Sequence, residues 1–433
     1  MDTKLHSAYR IGIGIISLLV ILIFPLTACG GGGGGSTTSN SPLLVWVDAT
    51  RLDGAKLYQK KHPDVKLNIV TVDRATLPAK VLLFNRSGSG WPDVVFAEPE
   101  LLAQVEDSAH NYPGDLTPYV PKNIVDNFAP GALAGCQVNG KLVCLRNDLA
   151  QNVLWYNKKL MDQFGYTVPT TWEDYQALGL KVAKEHPGYV IGSFGDSQAL
   201  NEYFWSSQCP VHRVVNANTL HINLSDPTCT RMANLLQPLI DAGSVTKVNP
   251  FDPAFVKLGT QDKILMLPAA SWYGQYVFKP SYKTPNGELS VALPPKWASD
   301  SQVYTGSQGG AAWAMSRHTK NPQAAANMII WMSTSNDYQA SAPTFPAYLP
   351  AADAWEKTIA NDNFYAANPY PVLKQAAGLV DPKWGNIRFD ADTPFTTVVA
   401  GGIAHGKTIA SLLGTYQDQI SQLAQASGYT VTH

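Results

Sequence analysis

Leu43-Leu44-Val45-Trp46-Val47, the alternating stretch 65–72 (VKLNIVTV) and Val94-Val95-Phe96 are the three runs whose reading decides the fold. The first is a continuous apolar run of strand length, and the second alternates with the two-residue period of a half-buried strand. Between them, 50–62 has helix-like composition and stops at Pro63. Thr76-Leu77-Pro78 opens a second helix, with proline in its first turn, and Ser87-Gly88-Ser89-Gly90 breaks it. Strand, helix, strand, helix, strand predicts a mostly parallel sheet joined by crossovers. Ligands of such sheets sit beyond the C-terminal strand ends. That places Asp48, Thr50 and Arg51 after the first strand, and Glu98 and Glu100 after the third, at the mouth of a cleft.

Further along, 153–157 reads as a strand, 158–164 as a short helix ended by Gly165, and 170–173 as a capping box opening the next helix. Helices are expected at 229–242, 321–333 and 408–426. A buried strand is expected at 264–267, ended by Pro268, with Trp272 and Tyr273 just beyond it.

The chain has 433 residues, more than one core ordinarily holds, and fits two domains. Only 15% of residues are charged, 32 basic against 33 acidic, so neither disorder nor nucleic-acid binding is indicated. Eleven Trp and 19 Tyr in a neutral chain suit a polar, uncharged ligand with apolar faces.

The first forty residues read as an address. Lys4 and Arg10 precede a nearly unbroken apolar run at 11–26, too short to span a bilayer, which needs about 20 residues. Leu26-Thr27-Ala28-Cys29 closes the run and resembles a bacterial lipoprotein signal, in which Cys29 becomes the lipidated N-terminus. Six glycines, Gly30 to Gly35, and the Ser- and Thr-rich residues after them read as a flexible tether. Without Cys29, four cysteines remain, an even number in an exported chain. Pairing Cys136 with Cys144 and Cys209 with Cys229 is the simplest of three connectivities. A two-residue Asn139-Gly140 turn sets Cys136 opposite Val143, so the first pair is expected to need a bulge or longer loop. Zinc at Cys209, His212, His221 and Cys229 is the weaker rival, because these residues lack short ligand spacing.

Tyr156-Asn157-Lys158-Lys159-Leu160, then Phe164-Gly165, Pro169 and Thr171-Trp172-Glu173, resembles a segment of extracellular solute-binding proteins of ABC transporters, in the sugar-binding branch that includes maltose-binding protein. Trp91-Pro92-Asp93-Val94-Val95, Gly306-Ser307-Gln308-Gly309-Gly310, Asn321-Pro322 and Tyr348-Leu349-Pro350 follow in that family's order. The resemblance implies a two-lobed α/β periplasmic-binding-protein-like (type II) fold with three hinge crossings, near 146–151, 294–304 and 342–345. It divides the chain into signal (1–28), tether (29–42), lobe 1 (43–148 with 300–342) and lobe 2 (149–299 with 343–433). It implies a monomer, anchored by lipid to the outer face of the cytoplasmic membrane, that binds a carbohydrate and passes it to ABC permease subunits. Nucleic acid, cofactor and metal are not expected.

By the same resemblance, Trp272 is the expected stacking residue, with Tyr203 aligning better than Trp205 for a second. Tyr273 and Gln308 join the candidate contacts, and Tyr348, Trp384 and Phe395 are candidate rim residues. Ala97 stands where maltose-binding protein carries a stacking Trp, which weakens the case for a maltodextrin. Trp46, Trp172, Trp313 and Trp331 fall within element patterns and are expected in the core. No G-x-S-x-G or H-E-x-x-H motif occurs. The rival readings are an exported glycosidase using Asp48 and Glu98, a non-sugar binder, and delivery to a sensor.

Overall fold

The computed structural model describes residues 41–384 and 387–433. The signal, Cys29 and the glycine run lie outside the described residues.

The opening stretch forms the expected alternation: strands Leu43–Val47, Leu67–Thr71 and Val94–Ala97, with helices Leu52–Lys61 and Leu77–Ser87 between them. The first strand lies parallel to both of the others. Two later strands complete a five-stranded sheet. Ala312–Met315 runs antiparallel to Val94–Ala97, and Cys144–Arg146 pairs antiparallel with Ala312–Met315 on its other side. Trp46 and Trp313 are buried in this sheet's core, and Trp331 is half-buried against Tyr58 and His62.

Residues 150–297 and most of those from 345 on build two further cores. Their central sheet is antiparallel, with Asn152–Asn157 between Met266–Ala270 and Leu289–Ala292. The strand expected to end at Pro268 runs through it to Ala270. It is an edge strand, where the missing proline N–H removes no ladder bond. Helix Lys158–Phe164 keeps its expected bounds, with Asn157 capping it and left-handed Gly165 ending it. The next helix is capped one residue later than expected: Thr171 accepts from Asp174 N, while the Glu173 carboxylate accepts from Ala298 N. Trp172 is fully buried.

Both nearest-neighbour disulfides are present. The second consumes both cysteines of the rival zinc set. The first needs neither bulge nor longer loop. Asn139 and Gly140 both adopt positive φ (51° and 75°) in a two-residue turn, and Val143 N bonds Cys136 O as the register requires. Cys136 ends a 3₁₀ turn, Ala134–Cys136, before the hairpin, and its Cα lies 4.9 Å from that of Cys144.

Three segments link the first sheet to the rest of the chain, and they lie side by side. Asp148–Leu149 pairs antiparallel with Phe345–Pro346. Gln308 N bonds Ala150 O, Asn152 N bonds Gly306 O, and Asn147 N bonds Ala311 O. The stretch 294–304, expected as a crossing, stays with the second body. Lys296 N bonds Thr170 O, Trp297 Nε1 donates to Ser207, and Asp300 forms an ion pair with Arg231. The chain crosses afterwards, through 306–311. Gly310 is required there: φ is +70°, and a Cβ would sit 2.9 Å from Asp148 O and 3.3 Å from Ala150 N.

Candidate ligand cleft

A chain of cavities runs between the first sheet's strand ends and the second body. The central one has a volume of about 520 Å³ and is lined by Glu98, Glu100, Trp205, Trp272, Gln308 and Asp392, among others. A second of about 210 Å³ shares Glu98, Trp272 and Gly309 with it and adds Arg51, Asp148 and Tyr276. A third shares Glu100, Trp205 and Gly309 and adds Arg146 and Trp384. The central cavity alone is the size of a small-molecule site.

Trp272 follows its strand as expected and is half-buried at the junction of the first two cavities. Its Nε1 donates to Gln308 O (2.9 Å), which ties the indole to the crossing segment, and one face lies nearly parallel to Phe251. Trp205 is stacked on Trp384, with centroids 5.3 Å apart and planes 12° apart, and the guanidinium of Arg213 lies over Trp384. Both indole nitrogens are buried without a hydrogen-bond partner among the described residues, although the rings line a cavity. Buried polar groups are ordinarily paired, so these N–H groups can serve as donors to a bound molecule.

Other sequence candidates sit elsewhere. Tyr203 is fully buried against Trp172 and Phe194, and its hydroxyl faces that of Tyr175, so it is core and not a stacking platform. Tyr273 is also fully buried and spends its hydroxyl on Gln198. Tyr348 packs edge-on to Phe128 in the first body, away from these cavities. Phe395 is core, packed against Phe194 and Tyr416. Thr50 is exposed and lines none of the three cavities.

The strand-end charges are largely spent on one another. Asp48 accepts from Arg51 N (2.9 Å) in the turn that leads into the helix Leu52–Lys61. Its other oxygen faces Arg51 (3.4 Å) and Arg74 (3.5 Å). Arg51 also reaches Asp148 in the crossing segment (3.4 Å) and lies over the Phe96 ring. Arg74 holds Glu98 Oε1 at 2.7 Å and leaves Glu98 Oε2 buried without a partner. Burial pushes Glu100 up to about 7, with the charge of Arg146 opposing. Burial in turn lowers Arg146, whose Nε has no partner. Arg74, Arg146 and Asp148 were not anticipated, because nothing local marks them: Asp148 meets Arg51 from 97 positions away. His212, weighed only as a zinc ligand, lines the central cavity. Among the described residues, no group of three or more His, Cys, Asp or Glu is placed to hold a metal ion.

Residues 34–340 match the bacterial extracellular solute-binding proteins. The chain belongs to that family. It is similar to the multiple sugar-binding protein of Streptococcus mutans serotype c, 23% identical over 306 residues that cover 68% of this chain and 70% of that protein. Among solved structures it is similar to the ABC transporter associated binding protein of B. animalis subsp. lactis in complex with β-1,6-galactobiose (TM-score 0.74, 21% identity, 90% of this chain and 99% of that one). It is also similar to the galacto-N-biose-/lacto-N-biose I-binding protein of Bifidobacterium longum in complex with lacto-N-biose (TM-score 0.75, 20% identity, 90% and 98%). At these identities the likeness establishes the shared two-lobed α/β fold. In this solute-binding protein the central cavity is thus lined by residues of the first sheet's strand ends, of the second body and of the crossing segment at 307–309.

Proposed function

We propose that this solute-binding protein captures a carbohydrate in the cavities around Trp272 and delivers it to the membrane subunits of an ABC transporter. One observation carries the reading. Trp272, Trp205 and Trp384 line neighbouring cavities that share wall residues, and the polar atoms there include donors and a carboxylate oxygen with no partner among the described residues. Sugars offer apolar C–H faces to indoles, and hydroxyls that both donate and accept. The sugar ligands named for the two structural relatives support the same class.

In this reading the lobes are 43–146 with 311–342, and 150–306 with most of 345–433. The side-by-side segments near 147–151, 306–311 and 345–347 are the hinge. Ligand touching both lobes favours the closed form by its extra contacts there. Cys29 carries the lipid, the glycine run is the leash, and the body works as a monomer outside the cytoplasmic membrane. The protein performs no hydrolysis of its own.

Thermal denaturation against a sugar panel tests this. A ligand at 100 times its Kd adds about 2.7 kcal/mol to the native state, so the true ligand raises Tm. Trp272→Ala removes that rise while the unliganded Tm stays within a few degrees. No response to any carbohydrate would sink the proposal, as would turnover of a glycoside.

A further inference from the structure

We propose that the central cavity is built for a saccharide that carries an ammonium group, an amino sugar in place of a wholly neutral one. The inference rests on the carbohydrate reading above and narrows it.

Four carboxylates line that cavity, Glu98, Glu100, Asp390 and Asp392, and no Lys or Arg is among its described lining residues. The acids are not equal. Asp390 accepts from the backbone of Asp392 and Thr393 and is occupied in starting a helical turn. Glu98 gives one oxygen to Arg74 and keeps the other buried and unpaired. Asp392 has only Ser197 as a side-chain partner. Glu100 has the charge of Arg146 opposing it, and the two share the wall of the neighbouring cavity. Burial raises Glu98, Glu100 and Asp392 above the usual carboxylate range, so the wall lacks the positive charge that would hold them ionised.

A second observation is independent of the acids. His212 and Trp205, exposed to only 3% and 4%, line the same cavity, and His212 Nδ1 and Trp205 Nε1 have no partner among the described residues. Burial lowers His212 to about 4, so its ring is neutral, and its free nitrogen donates or accepts according to the tautomer. The walls therefore ask for an acceptor at Trp205, for N–H or O–H donors at Glu98, Glu100 and Asp392, and for a polar partner at His212. Hydroxyls meet the hydrogen-bonding demand, but they leave the carboxylates uncompensated. An ammonium supplies three donors and the missing positive charge. With two indoles in the walls it also has rings that favour a cation.

Matched pairs of sugars differing only in –NH₃⁺ for –OH test this: glucosamine with glucose, galactosamine with galactose, mannosamine with mannose, and the β-1,4-linked glucosamine dimer with cellobiose. Isothermal titration at pH 7 and low salt is expected to show, in at least one pair, the amino sugar binding about tenfold tighter or better. Glu100→Gln, and separately Asp392→Asn, each reduce that ratio to about threefold or less. The ratio in the unmodified protein stands as a test even if a variant does not fold. Equal or tighter binding of the neutral member in every pair overturns the inference and leaves the carbohydrate reading standing. An undiminished ratio in both variants overturns the assignment to these carboxylates. Failure of both series overturns the inference and the carbohydrate reading together.

Discussion

Gly309 and Gly310 sit side by side in the second crossing, and substituting each by Ala separates two physical costs. Both have positive φ, +80° and +70°, where an L side chain costs about 1–2 kcal/mol. Their surroundings differ. A Cβ on Gly309 would meet only Trp272 Nε1, at 3.7 Å, an ordinary contact. A Cβ on Gly310 would sit 2.6 Å from Arg146 Nη2, 2.9 Å from Asp148 O and 3.3 Å from Ala150 N. The arginine tip can swing away, but the two backbone atoms belong to the adjacent crossing segment and cannot move alone. Forcing atoms into a filled site adds about 1–3 kcal/mol. Urea denaturation of the unliganded variants should therefore give a loss of about 1–2 kcal/mol for Gly309→Ala and about 2–5 kcal/mol for Gly310→Ala. If the two losses agree within about 0.5 kcal/mol, the close packing of the crossing segments is not what holds Gly310, and conformation alone explains it.

Three further outcomes are expected. Replacing Cys209 and Cys229 by Ser releases a closure of 20 residues and should cost about 3 kcal/mol, against about 2.5 kcal/mol for the 8-residue closure of Cys136 and Cys144; chemical denaturation under non-reducing conditions reads both, and no loss in either would remove the disulfides from the stability account. Asp148→Ala leaves the buried Arg51 guanidinium with Asp48 as its remaining carboxylate partner and should cost about 1.5–3 kcal/mol, part of which Arg51→Met restores in the double variant; additive losses would mean the pair is not coupled. Burial holds Glu100 up to about 7, so between its ordinary value near 4.5 and 7 the native state binds more protons than the unfolded chain. Stability then falls as pH rises through that window, and Glu100→Gln relieves it. The Tm of Glu100→Gln minus that of the unmodified protein should grow from pH 4.5 to 7.5, and a flat difference would contradict the burial argument.

The strands at 43–47 and 94–97 were legible because a parallel strand inside a sheet is buried on both faces, which writes itself as a local apolar run, and 67–71 was legible because an edge strand with exposed positions alternates. The Asn139-Gly140 turn was legible because positive φ at two successive positions selects those residues. The charge network was not. Asp48, Arg51 and Glu98 stand at the expected strand ends, but whether they meet a ligand or each other depends on Arg74 and Asp148, whose approach is a property of the folded chain. The second crossing was placed too early for the same reason: Asp300 is held by Arg231, 69 positions away.

The exchange between Tyr203 and Trp205 has a more specific cause. Leu200–Phe204 is a π-helical turn, and so are Gly274–Phe278 and Phe395–Ala400. Each lies within three residues of a side chain in the cleft walls: Trp205, Trp272 with Tyr276, and Asp392. One extra residue in a turn rotates everything beyond it by about 100° relative to an α-helical register. A face assigned by 3.6-residue spacing, or by alignment to a segment lacking the extra residue, is then wrong by about one position in the ring of side chains. Tyr203 lands in the core and Trp205, two residues on, reaches the cavity. If the π turn does this aiming, deleting one residue within 200–204 should turn Trp205 out of the cavity and remove its stacking on Trp384. Circular dichroism in the near ultraviolet reads the coupled indole pair directly. An unchanged exciton signal in a folded deletion variant would show that packing from Arg213 and Trp384, and not the turn, decides where Trp205 points.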